Sequence, residues 1–281
     1  MNHRRPVGIF DSGVGGLTVF RAVRRALPGE DLLYFGDTAH VPYGARSPEV
    51  ILDLARAHFR FLASRGVKCI VVACNTASAV ALPRLERGMR FPMLGVIGPG
   101  VGEAVARTRN GRVGVLGTAA TVASGAYQQG LLRARPGLRV FARACPLFVP
   151  LIEEGWTGHA VARRIAAEYL KPLVRARVDT VILGCTHYPL LKGVIRRILG
   201  PEVALVDSAE AVASRLSGLL RARGLTRPGR SRGRETFFLT DTGGTFRRVA
   251  ERFLGRAPRR VVRVSMRLAS VDGVRKGKFP G

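Results

Sequence analysis

VILGCTHYPL, residues 181–190, is the stretch on which the reading of this chain turns. Val181, Ile182 and Leu183 put apolar side chains on both faces of a strand, the pattern of a buried parallel strand. Gly184 lets the backbone turn as the strand ends, and Pro189 suits the first turn of a helix, where its missing N–H costs nothing. Cys185 therefore stands at the carboxyl end of a strand, where open α/β sheets gather ligands. Taken alone, it reads more readily as an inert buried thiol beside a capping threonine.

A second stretch changes that reading. Lys68 to Ala73 is another apolar strand, and Cys74-Asn75-Thr76-Ala77-Ser78 follows it into a helix. The first strand, Val7 to Phe10, leads to Asp11-Ser12-Gly13-Val14-Gly15-Gly16 and has an echo in Val113 to Leu116, which leads to Gly117-Thr118. Gly8 and Gly114 are 106 residues apart, and Cys74 and Cys185 are 111 apart. Two features repeating at nearly one offset point to an internal duplication, although strand-turn-helix units are common to all α/β proteins. The expected fold class is α/β, with two pseudo-symmetric lobes. Each lobe is a mainly parallel sheet flanked by helices, with the active site in the cleft between them. Residues 1–97 plus 209–281 are expected to form the first lobe and 98–208 the second.

Between these landmarks, helices are expected over Leu17–Leu27, from Ser47-Pro48-Glu49 to about Arg65, and over Ala119–Leu132, Leu190–Leu199, Ala209–Arg223 and Phe246–Leu254. Ser47 as N-cap, with proline at the first helical position, is good local chemistry. Further strands are expected over Asp31–Phe35, Ala204–Val206, Thr236–Thr240 and Arg259–Val264. Gly36 to Gly44 is a shaped loop of the kind that carries function. Ile97-Gly98-Pro99-Gly100 is expected to cross between lobes, Cys145–Pro150 to be extended, and Arg221–Arg234 to be a flexible basic loop. His58 is expected to be structural or solvent-facing rather than catalytic, and at most one of Glu153 and Glu154 to face a site. Tyr127 either reaches the site or only packs. The segment beyond Met266 carries no usable pattern.

Composition narrows the classes. The chain has 281 residues, 47% hydrophobic and 23% charged, which is globular and not disordered composition. No apolar run approaches bilayer length, and Asp11 arrives before a signal-peptide core could form, so a soluble, cytoplasmic protein is expected. Four cysteines without C-x-x-C spacing argue against a disulfide framework or structural zinc. A net charge of +27 would attract anions, including nucleic acid and acidic metabolites. The basic residues are scattered, however, and no nucleic-acid motif is present, so surface bias is the simpler account. The glycine turn after Phe10 matches neither dinucleotide nor P-loop patterns. Asp11 would repel a phosphate and suits a base, a base's partner or an ammonium contact.

Cysteines at corresponding strand ends of two lobes can face each other across a small substrate. Inversion at a carbon requires that arrangement: one group removes a proton from one face while another supplies it from the opposite face. A thiol with an ordinary pKa near 8.5 needs only modest tuning for this work. His187 and Asp11 are suitable partners. The same pair could instead be nucleophile and spectator, as in thiol hydrolases.

Four stretches together carry a resemblance: Gly8–Gly16, Gly36-Asp37-Thr38 with Pro42-Tyr43-Gly44, Ala73–Ser78 and Leu183–Pro189. In order and spacing, from Val7 to Val264, the chain resembles the glutamate racemase family. The resemblance implies interconversion of L- and D-glutamate without pyridoxal phosphate or metal, supplying D-glutamate for peptidoglycan. It implies Cys74 acting on the D-enantiomer, Cys185 on the L-enantiomer, Asp11 and His187 assisting, and Glu153 as a further acidic group. Asp11, Ser12, Tyr43, Gly44, Asn75, Thr76, Thr186 and His187 match the family's substrate contacts. His40 stands where the family often has a basic residue, and the Asp241-Thr242-Gly243-Gly244 turn differs from the usual one. Aspartate as substrate is the nearest alternative. Nucleic-acid or topoisomerase binding is the alternative of another class, and a homodimer is compatible with the sequence but encoded by no motif.

Overall fold

Two parallel sheets frame the protein, which a computed structural model describes over residues 2–229, 231–243 and 246–266. The first sheet comprises β1 (Val7–Asp11), β2 (Leu32–Gly36), β3 (Cys69–Val72) and β4 (Met93–Gly95). The second comprises β5 (Arg112–Gly117), β6 (Arg139–Ala144), β7 (Thr180–Gly184) and β8 (Ala204–Asp207). The chain then returns to the first sheet with β9 (Glu235–Leu239) and β10 (Val261–Arg263), giving the order β10-β9-β2-β1-β3-β4 against β6-β5-β7-β8. The four-strand units β2-β1-β3-β4 and β6-β5-β7-β8 are thus the same arrangement twice.

Register makes the repeat explicit. Val7 lies opposite Cys69 in the first sheet, and Val113 lies opposite Thr180 in the second. Cys74 follows Cys69, and Cys185 follows Thr180, by the same number of residues. Both cysteines therefore leave their sheets at equivalent points, at carboxyl strand ends.

The helices that matter to the site are α1 (Leu17–Ala26), α2 (Pro48–Ser64), α3 (Asn75–Val80), α4 (Leu82–Leu85), α5 (Ile97–Arg107), α6 (Ala119–Ala123), α7 (Ala126–Ala134), α8 (Phe148–Glu153), α9 (Ala160–Arg175), α10 (Lys192–Leu199), α11 (Ser208–Ala222) and α12 (Phe246–Leu254). At α2, Ser47 Oγ accepts from the Val50 N–H at 3.4 Å, with Pro48 in the first turn, as its sequence requires. One apolar core runs between the sheets and includes Ile9, Phe20, Val71, Leu183, Cys185, Val212 and Leu216. Smaller cores cover the outer faces, around Phe10, Phe35 and Phe59 on one side and Val115, Tyr127 and Ile182 on the other. The lobes share their central core, so α11 packs with first-lobe residues although it follows the second sheet.

Ile97-Gly98-Pro99-Gly100 opens α5, the helix that carries the chain from β4 of the first sheet to β5 of the second, and Pro99 leaves no hydrogen bond unmade because first-turn N–H groups have no helical partner. Four local expectations are corrected. Cys145–Pro150 is not extended: the strand ends at Ala144 and α8 begins at Phe148, with Pro150 again in a first turn. The helix expected over Ala119–Leu132 is two helices, broken where Gly125 takes φ +67°. The helix expected over Leu190–Leu199 starts as a 3₁₀ turn, Tyr188–Leu191, before α10. The described residues of the expected basic loop after α11 do not hang free: Arg227 pairs with Asp31, the Arg234 N–H donates to Asp31 Oδ1 at 2.6 Å, and the Gly233 N–H donates to the Pro28 carbonyl at 2.9 Å. Arg230, Gly244 of the Asp241–Gly244 turn, and everything beyond Met266 lie outside the described residues.

His58 is fully buried, stacked near Phe10 and Phe35, with Nδ1 3.3 Å from the Tyr43 hydroxyl. Its Nε2 lies 3.6 Å from Asp37 Oδ2, within ion-pair range, yet burial holds its pKa down to about 4, so the ring is neutral. The unfolded chain takes up this proton below its ordinary pKa near 6.5, whereas the native state does so only near 4. Stability should therefore fall as pH drops through that window, by about 1.4 kcal/mol per pH unit from this group. Urea unfolding of wild type and His58→Gln at pH 7 and 4.5 checks it; an equal pH dependence in both would remove the assignment.

Candidate functional site

At the end of β3, Cys74 adopts extended backbone angles and becomes the N-cap of α3, its Sγ accepting from the Ala77 N–H at 3.5 Å. Its Sγ also donates to Ser12 Oγ at 3.3 Å. Burial, reinforced by the nearby Asp11 carboxyl, pushes this thiol up to about 12. Cys74 is thus a protonated donor at neutral pH. Asp11 closes β1 behind it, fully buried, and accepts from the Gly13 N–H at 3.0 Å and the Thr186 hydroxyl at 3.5 Å. Burial raises its pKa, against the opposing effects of His187 and the Gly16 and Gly13 N–H groups.

Cys185 occupies the equivalent position after β7, with Sγ 3.8 Å from His187 Nδ1. The other ring nitrogen, Nε2, lies 2.9 Å from Glu153 Oε1 on α8. Burial alone would lower the His187 pKa, but the hydrogen bonds to Cys185 and Glu153 outweigh it and raise it to about 10. The ring is held edge-on to Phe253 of α12 at 5.0 Å, and Arg252 Nη1 donates to the Glu153 carbonyl at 2.9 Å. A segment from the end of the chain therefore braces the His187–Glu153 pair. Glu154, its neighbour, is exposed.

A cavity of about 360 Å³ lies between these strand ends. Ser12, Tyr43, Gly44, Cys74, Asn75, Thr76, Glu153, Cys185, Thr186 and His187 all line it, and Asp11 sits behind its wall. That size suits a small metabolite. A larger, open groove of about 720 Å³ between α1 and α11 holds Glu210 but no thiol or imidazole, whereas the cavity between the strand ends gathers both thiols and the His187 ring.

Two contributors were missed from the sequence. Thr118 and Thr121 at the start of α6 form a three-hydroxyl ring with Thr76, at 3.0, 3.1 and 2.9 Å, and Thr118 lines the cavity. Thr118 stands at the repeat position of Ser12, so the duplication itself was the available signal. Tyr43 lines the cavity, but its hydroxyl turns away and donates to buried Asp37 at 2.7 Å. Asp37 also accepts from Thr240 and lies 2.7 Å from His40 Nδ1, which anchors the loop.

Glycines let the lobes meet. A Cβ on Gly15 would collide with Thr186 Oγ1 and His187 Nδ1, and one on Gly44 would lie 2.5 Å from Thr118 Cβ. The glycine-rich turn therefore serves close approach of one lobe to the other. Gly184 serves close approach within the second sheet and not the turn expected from sequence: its added Cβ would lie 2.6 Å from the Leu116 carbonyl of neighbouring β5. Gly15→Ala should displace His187 by an ångström or so and lower kcat by about 10²-fold with the fold intact. Steady-state kinetics with a thermal melt measure this; unchanged kcat would exclude the packing role.

The described residues contain no group of three metal-ligating side chains and no helix long and apolar enough to cross a membrane. The Asp/Glu/Hydantoin racemase family model matches residues 13–216. The chain is 52% identical over 251 residues to a glutamate racemase of Geobacter metallireducens, covering 89% of this chain and 93% of that one. It superposes on the crystal structure of glutamate racemase from Francisella tularensis in complex with D-glutamate with TM-score 0.88 at 36% identity, and on that from Thermus thermophilus in complex with β-chloro-D-alanine with TM-score 0.85 at 46% identity. Each comparison covers 94% of this chain and 98% of the other. With a duplicated parallel fold, two thiols at matching strand ends and relatives this similar across nearly the whole length, the chain belongs to the glutamate racemases of the Asp/Glu/Hydantoin racemase family.

Proposed function

We propose that the protein interconverts L- and D-glutamate by two-base chemistry at Cys74 and Cys185. The observation that carries this reading is that the two thiols leave equivalent strand ends and line one enclosed cavity. In the L-to-D direction the Cys185 thiolate takes the Cα proton, forming an S–H bond. The electron pair left on Cα is delocalised into the α-carboxylate. The Cys74 S–H bond then breaks, delivering its proton to the opposite face and leaving a Cys74 thiolate. The D-to-L direction runs from that second form. Asp11 beside Cys74, and His187 beside Cys185, return the enzyme between forms by moving protons.

Protonated His187 places a positive charge 3.8 Å from Cys185 Sγ, a counter-charge for its thiolate. The hydroxyls of Ser12, Thr76 and Thr186, with Asn75 and the Tyr43-Gly44 segment, supply hydrogen bonds for the substrate's carboxylates. A preorganised, enclosed set of donors is the main means of stabilising charge at so weak a carbon acid. The basic surface speeds encounter with a substrate of net negative charge. The reading carries with it a cytoplasmic role in supplying D-glutamate to peptidoglycan synthesis, and division of the chain into lobes of 1–97 plus 209–281 and 98–208.

Circular dichroism assays on L-Glu, D-Glu, L-Asp and D-Asp test the substrate; turnover of aspartate alone overturns it. Glu153→Gln tests the His187 assignment. Without the carboxylate on Nε2, the imidazolium loses its proton at lower pH, so the alkaline limb of kcat should move toward neutrality. A pH–rate profile superimposable on that of wild type would refute the pairing.

A further inference from the structure

Asn75 is 3% exposed, lines the cavity, and has a side-chain nitrogen buried with no hydrogen-bond partner. A buried donor left unmade costs free energy, so an occupant that accepts from it gains correspondingly. Its other amide atom, Oδ1, accepts from the Tyr127 hydroxyl at 2.6 Å. Tyr127 is fully buried on α7 of the second sheet's side, and its oxygen lies 3.2 Å from Ser208 Oγ at the start of α11. Its ring is wedged where Gly184 and Gly100 leave room: a Cβ on either would lie 3.1 and 3.3 Å from ring carbons. Gly184 is the residue before Cys185. Burial raises the phenol's pKa, which keeps the donating proton in place.

We infer that Tyr127 is a positioning residue: it crosses between the sheets to hold Asn75 Oδ1, and so fixes the Asn75 amide with its nitrogen presented to a substrate carboxylate. An amide can rotate by half a turn with little steric change, and the two orientations offer the carboxylate either a donor or a repelling oxygen. Only a proton donor on the wall side selects the productive one. Tyr127 O–H is that donor, with Ser208 as acceptor or donor in reserve. The same contact ties the Asn75 end of α3 to the strand that delivers Cys185, so the carboxylate anchor and one acid/base group share a rigid support.

This inference rests on the glutamate reading, and the experiment separates the two. Wild-type turnover of L- and D-glutamate tests that reading by itself. In Tyr127→Phe, KM for both enantiomers should rise about tenfold while kcat stays within about twofold, because a contact made equally in ground and transition states is removed. In Asn75→Ala, adding Tyr127→Phe should cost nothing further, whereas a merely structural tyrosine would add its own loss. Asn75→Asp keeps an acceptor for Tyr127 but replaces the presented donor with a carboxylate oxygen, and should raise KM further than Asn75→Ala. Wild-type KM in Tyr127→Phe, additive losses in the double variant, or Asn75→Asp binding as well as Asn75→Ala would each overturn the proposal. The Asn75→Asp comparison stands even if removing the tyrosine hydroxyl prevents folding.

Discussion

Replacing either Cys74 or Cys185 by alanine will lower racemisation by about 10²–10⁴-fold or more, while the thermal transition moves by only a few degrees. Inversion needs a proton removed from one face of Cα and delivered to the other. Each thiol serves one face, so losing either leaves the cycle incomplete in both directions. The equilibrium constant between enantiomers is unity, so kcat/KM must fall equally for L- and D-glutamate in any variant. The double replacement should be little worse than either single one, since the two act as a unit. In deuterium oxide, wild-type product should carry deuterium at Cα, because the delivering thiol exchanges with solvent. Racemisation at a normal rate in either single variant would end the two-thiol assignment. The fold should tolerate the change: the sulfur of Cys74 gives up only long contacts, to Ser12 Oγ at 3.3 Å and the Ala77 N–H at 3.5 Å, and that of Cys185 one to His187 Nδ1 at 3.8 Å.

Lys68→Ala carries the largest expected loss of stability, about 3–5 kcal/mol. Lys68 has no exposed surface, and its ammonium donates to Glu30 Oε2 at 2.5 Å, the Leu225 carbonyl at 2.7 Å and the His3 carbonyl at 2.8 Å. All three protons are thereby used. Removing the cation leaves the Glu30 carboxylate, 2% exposed, without a counter-charge and with only the Arg227 N–H on its Oε1 at 2.8 Å, and takes the donor from two backbone carbonyls. The contacts join the N-terminal segment, the entry to β3, and the chain after α11, so the damage falls at the amino-terminal end of the first sheet's interior strands. Urea denaturation gives the value. Lys68→Met with Glu30→Leu should recover much of it, since an apolar pair of similar volume removes the stranded charge. A loss below about 1 kcal/mol in the single variant would show that water or a shifted side chain compensates.

Much of this architecture is legible in the order of residues. Val181–Leu183 and Cys69–Val72 are apolar on both faces, so each must be a buried strand, and a cysteine directly after such a strand lands at its carboxyl end. Ser47-Pro48 and the apolar stripe of Phe246–Leu254 announce helices for equally local reasons. Local reading failed where a proline or glycine has more than one use. Pro150 begins a helix as readily as it would break one, and Gly184 is required by a neighbouring carbonyl and not by a turn. Thr118 was within reach of the repeat, but Thr121 and Asp37 have no periodic signature.

What the sequence by itself determined is the pair of strand-end thiols, their duplicated setting, and the polar residues adjacent to each, because all of these depend on backbone geometry over a few residues. What only the tertiary structure decided is which groups serve which thiol. Glu153 reaches His187 from 34 residues away, Tyr127 reaches Asn75 from 52, and Thr186 reaches Asp11 from 175. Those distances are closed by the packing of two sheets on a shared core, and the direction of a side chain across that junction is not encoded in any local pattern.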